Sequence, residues 1–81
     1  MDESIRKLNE KIKALDGINL IQQSWAEIYH RVTDDDRYRY IVMLESAKFY
    51  MLQEDFARVN REYGAIYIFL LNIQLRGEQA A

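Results

Sequence analysis

Residues 33–56, TDDDRYRYIVMLESAKFYMLQEDF, decide the fold. Thr33 carries a side-chain oxygen suited to cap a helix start. Asp34, Asp35 and Asp36 then fill a first turn whose free amides favour carboxylates. Asp36, at the third helical position, can return the bond to Thr33 as a capping box does. Beyond it Tyr40, Leu44, Ala47 and Met51 recur at four-three-four spacing, the period of a helix and not of a strand. Gln53 and Glu54 interrupt the pattern, and Asp55 can start the next helix. The segment therefore reads as a helix over 34–52, a tight turn, and the opening of a second helix packed back against it.

The rest of the chain follows the same period. Val59, Tyr63, Ile66, Leu70 and Ile73 form one face of a helix over 55–76, with Phe56 and Tyr67 on its flank. Tyr67–Leu71 could alternatively be a short strand, but no pairing partner is evident. Upstream, Ile21, Trp25, Ile28 and Val32 give the face of a helix over 20–32, capped by Asn19, with Trp25 expected at the centre of the core. Ile5, Leu8, Ile12 and Leu15 form a narrow stripe on a helix over 2–15. The stripe is expected to lean on the bundle, the alternative being that 1–16 docks loosely or dimerises. Asp16-Gly17 separates these two helices, with Gly17 as the terminating glycine. Gly64, inside the last helix, is expected to admit a neighbouring helix closely.

With no proline and only three glycines in 81 residues, nothing else breaks helical structure. The expectation is all-α: one domain over 1–81, a small antiparallel bundle of three to four helices (2–15, 20–32, 34–52, 55–76), with 77–81 as a flexible tail. The helix over 34–52 is apolar nearly all round, so it should lie centrally or be shared with another chain.

The stretch Ala47 to Val59, followed by Tyr63 and Ile66, resembles the middle of a tetratricopeptide repeat. There a small residue and an aromatic close one helix, an acidic-aromatic turn follows, and small and aromatic residues alternate on the next. Ala47, Tyr50, Asp55, Phe56, Val59 and Tyr63 stand in those places. Val59 and Ile66 are bulkier than the family's alanines, and its closing proline is absent. The match covers about one repeat, where an array needs about three. What the resemblance implies is a helical hairpin.

Composition narrows the function classes. Without cysteine, and with His30 as the sole histidine, no disulfide and no zinc site of the usual kind can be built. Asp34, Asp35 and Asp36 are contiguous, so on a helix they point about 100° apart, and no glycine follows as a calcium loop requires. Capping accounts for them better than a metal. His30 is six residues from Ser24, on a different helix face, and no phosphate-binding glycine loop is present. No catalytic residue, cofactor or metal is expected, and the chain is read as not an enzyme.

Eleven basic against thirteen acidic residues leave a formal charge of −2, too small to steer the chain to nucleic acid or membrane. The longest apolar run, Ala65–Leu71, is far short of the ~20 residues that span a bilayer. A soluble, cytoplasmic protein is expected. The reading that remains is a protein–protein interaction module (adaptor, regulator or inhibitor) that self-associates, a dimer being favoured, or docks on another protein. Its surface is expected at Tyr38, Val42, Phe49, Ile68 and Phe69, with Arg37, Arg39, Arg58 and Arg61 as polar contacts. The alternative is a nucleic-acid-binding protein that uses those four arginines. A lesser one is an acidic inhibitor that mimics nucleic acid.

Overall fold

A computed structural model describes residues 2–80, with side chains for 2–76. Three helices pack on one another: α1 (Asp2–Ile28), α2 (Asp34–Leu52) and α3 (Phe56–Ala80), with a short 3-10 turn at Tyr29–Arg31 after α1. There is no strand among the described residues, and Tyr67–Leu71 is helical. The all-α expectation holds, with three helices and not four. α3 packs on both α1 and α2, which scarcely meet each other, so the centre of the fold is α3 and not α2.

The segmentation before residue 29 requires correction. Asp16-Gly17 does not end a helix, and Asn19 does not cap one; α1 runs through both. Gly17 keeps a negative φ, as an ordinary helical residue does. A helical glycine costs about 1 kcal/mol relative to alanine. Full burial of a residue such as Ile21, one turn further on, contributes about 1.5–3 kcal/mol. Continuing α1 so that Ala14, Ile18 and Ile21 all face α3 therefore wins over stopping at the glycine. The missing side chain also has a use: a Cβ on Gly17 would lie 3.0 Å from Cδ2 of Tyr63. Gly17 is thus the glycine of close approach. Gly64, to which that role was assigned, would meet nothing within 4 Å.

The stripe expected to lean on the bundle does not. Ile5, Leu8, Ile12 and Leu15 are 57%, 56%, 48% and 52% exposed. On a helix turning about 100° per residue they lie opposite the side that carries Ala14 and Ile21. α1 therefore has two apolar faces, and α3 takes the one whose small residues, Ala14 and Gly17, let the helices come close. Trp25 is also displaced from its expected place. It is half-buried at the rim, its ring stacked on Tyr40 at 3.9 Å and 5°. The largest fully buried side chains are Ile21, Val59, Ile66 and Leu70.

The two hairpin faces match the sequence reading. Tyr40 and Ala47 on α2 are buried, with Leu44 and Met51 packed against them, and Val59, Tyr63, Ile66, Leu70 and Ile73 of α3 are all buried. The helical hairpin implied by the tetratricopeptide resemblance is present. Its turn is a Schellman close: the Asp55 amide donates to the Tyr50 carbonyl and the Glu54 amide to that of Met51, each at 3.0 Å. Glu54 takes the left-handed conformation there, φ 57°, where glycine is usual. α3 continues to Ala80, past the expected helix end at residue 76; residue 81 of the expected tail lies outside the described residues.

Candidate functional site

The opening of α2 is built as the sequence implied. Thr33 is the cap, with extended backbone; its Oγ1 accepts a bond from the Asp36 amide at 3.1 Å, and its own amide donates to Asp36 Oδ2 at 3.0 Å. The Arg76 guanidinium, arriving from α3, donates to the same oxygen at 2.6 Å. Burial alone would push the Asp36 carboxyl up. The Thr33 amide, the Arg76 charge and the Thr33 hydroxyl outweigh that and hold it below its ordinary value. Asp36 is the one buried charged residue among the described residues, and it ties the start of α2 to the end of α3.

The three aspartates do not converge. Asp34 pairs with Arg37 at 2.9 Å, Asp35 with Arg39 at 3.1 Å, and Asp36 with Arg76. Among the described residues no group of three or more acidic or histidine side chains could hold a metal ion. His30 is exposed on the 3-10 turn.

The same pairs determine what the arginines offer. Arg37 and Arg39 are tied to first-turn aspartates of their own helix, and Arg58 lies 3.5 Å from Asp55, the residue before α3. Arg37 also lies over the Tyr29 ring and Arg58 over that of Tyr50, each 5.3 Å from the centroid. Arg61 is exposed and makes no ion pair among the described residues. Of the four arginines grouped by the sequence reading, three thus have local carboxylate partners.

The apolar surface residues are brought together only in part. Tyr38, Arg39, Val42 and Met43 of α2 and Phe69 of α3 line one shallow, mostly apolar groove of about 430 Å³. Phe49 lies on the same outer side of α2, seven residues beyond Val42, and is 56% exposed with its ring edge-on to Tyr50. Ile68 is exposed but sits about 100° around α3 from Phe69, away from the groove. Met43, which the sequence reading left out, could have been found by helical spacing, since it is four residues from Arg39.

No helix is long and apolar enough to cross a membrane among the described residues. Compared with known proteins, the chain matches no family model, no curated protein and no solved structure.

Proposed function

We propose that the chain is a non-enzymatic protein–protein interaction module, an adaptor, regulator or inhibitor, which docks through the outer side of α2 and self-associates. The observation that carries this reading is the groove between α2 and α3. Tyr38 and Val42 stand exposed beside Phe69, and the apolar side continues along α2 to Phe49. Exposed aromatic and aliphatic side chains at helical spacing, rimmed by arginine, are the chemistry that accepts an apolar helix or loop from a partner.

The nucleic-acid reading has less support. Phosphate binding would have to compete with aspartates already held at 2.9 Å by Arg37 and 3.1 Å by Arg39. Mimicry of nucleic acid is weakened by the same pairing, which neutralises the acidic turn.

The test is retention of a partner by the immobilised chain, with Val42→Glu and Phe49→Glu beside the wild type. Both side chains are exposed, so helicity by circular dichroism should be unchanged while retention falls by tenfold or more. Equal retention by all three proteins would refute the assignment of this surface. Retention of nucleic acid that fades steeply with added salt would favour the alternative.

A further inference from the structure

The outward stripe of α1 has the composition of a specific kind of helix pairing. With Ile5 as position a of a heptad, Leu8 is d, Ile12 a and Leu15 d, while Asn19 is the next a and Gln22 the next d. β-branched isoleucine at a with leucine at d is the combination that favours parallel, two-stranded coiled coils. A single asparagine at an a position fixes register and strand number. All six residues are exposed. Of the residues α1 gives to α3, Ala14, Gly17 and Ile21 fall at c and f, on the opposite side, while Ile18, half-buried, falls at g between the two faces.

The flanking charges specify the same arrangement. In a parallel pair, position g of one helix meets position e of the following heptad on the other, five residues on. Here g is Lys11 and that e is Asp16. Neither makes an ion pair within the chain among the described residues. The Lys11 ammonium rests at the surface, 6.0 Å from the Phe56 ring centroid. Two copies side by side would form this oppositely charged pair twice, once on each side of the seam.

We propose that α1 is the seam of a parallel, two-stranded homodimer, joined through Ile5, Leu8, Ile12 and Leu15 with Asn19 setting the register. The inference rests on the self-association in the preceding reading and gives it a surface distinct from the α2–α3 groove. Two heptads are too short to pair as free peptides, because helix nucleation is unfavourable. In this chain α3 already holds α1 helical, so association does not have to order it. Four half-exposed side chains per copy make a small seam, at the low end of specific interfaces, and the dimer should exchange readily with monomer.

Sedimentation of the full chain up to a concentration on the order of 100 µM, suited to a small interface, should show a reversible dimer. Leu8→Glu and Ile12→Glu should shift it to monomer with unchanged helicity, whereas Phe49→Glu should leave it dimeric. Orientation is read by Leu15→Cys, which introduces the only thiol. A parallel pair places the two thiols across the seam, where oxidation joins them as a disulfide. In an antiparallel pair centred on the same stripe residue 15 faces residue 5, leaving the thiols roughly 15 Å apart along the axis. A chain monomeric throughout this range would overturn the proposal. So would a dimer that survives both α1 substitutions, and if Phe49→Glu dissociates that dimer, the interaction module stands while the seam falls. A dimer that is lost with Ile12→Glu yet fails to crosslink through residue 15 overturns the parallel arrangement.

Discussion

Replacing Asp36 with asparagine isolates the charge at the junction of α2 and α3. The carboxylate oxygen Oδ2 accepts both the Thr33 amide at 3.0 Å and the Arg76 guanidinium at 2.6 Å. An asparagine oxygen of the same shape keeps the acceptor and loses the charge. Hydrogen bonds to a charged group contribute about 1.5–3 kcal/mol against about 0.5–1.5 for neutral pairs, so roughly 1 kcal/mol is lost at each bond. The Arg76 share must be discounted, since that guanidinium side chain is 58% exposed and screened by solvent. A net destabilisation of about 1–2 kcal/mol at neutral pH follows, or a fall in Tm of roughly 5–15 °C for a domain of this size. The sign of the pH dependence is set by the lowered carboxyl. Because the folded value lies below the ordinary 3.8, the stability it adds is complete above that value and is lost as pH falls through the folded one. The variant has no such group. Thermal or urea unfolding of both proteins from pH 7 to pH 2 should therefore show a constant gap down to about pH 5 that closes below pH 4. A gap of the same size at pH 2, or none at pH 7, would refute the assignment.

Thr33→Ala removes the oxygen that caps the Asp36 amide and should cost about 1 kcal/mol in urea unfolding. The two helical glycines should diverge. Gly64→Ala adds a Cβ where nothing lies within 4 Å and should raise stability by about 1 kcal/mol. Gly17→Ala meets Tyr63 Cδ2 at 3.0 Å and should yield less or lose stability, so equal gains at both sites would contradict the close approach. Glu54→Gly relieves a left-handed residue and should raise Tm, although it gives up an exposed ion pair with Lys7 at 3.4 Å. Millimolar calcium or magnesium should leave Tm unchanged. A metal-dependent rise would mean that Asp34 and Asp35 leave their arginines for an ion.

Much of the fold was legible because local chemistry and helical period agree in the second half of the chain. Thr33, the acidic first turn and the Tyr40–Ala47 face of α2 need only neighbours within a few residues to be read. The buried face of α3, Val59 to Ile73, keeps the helical period over about four turns, which outweighs the strand alternative at Tyr67–Leu71. The first half was misread where a local signal conflicts with packing. Asp16-Gly17 has the form of a stop, and Ile5–Leu15 has the form of a core stripe. Neither residue string carries the fact that α3 prefers the small-residue face.

By itself, then, the sequence determined that the chain is helical, where α2 begins, and which faces of α2 and α3 are buried, since these depend on backbone capping and on a period of 3.6 residues. Only the tertiary structure decided that α1 is one helix and that its Ile/Leu stripe faces outward. It also decided that Arg76, forty residues away, holds Asp36. The first two turn on which of two apolar faces of α1 gains more by close approach to α3, and the third on α3 packing beside α2. Both depend on surfaces far apart in the chain, and no local window of residues contains them.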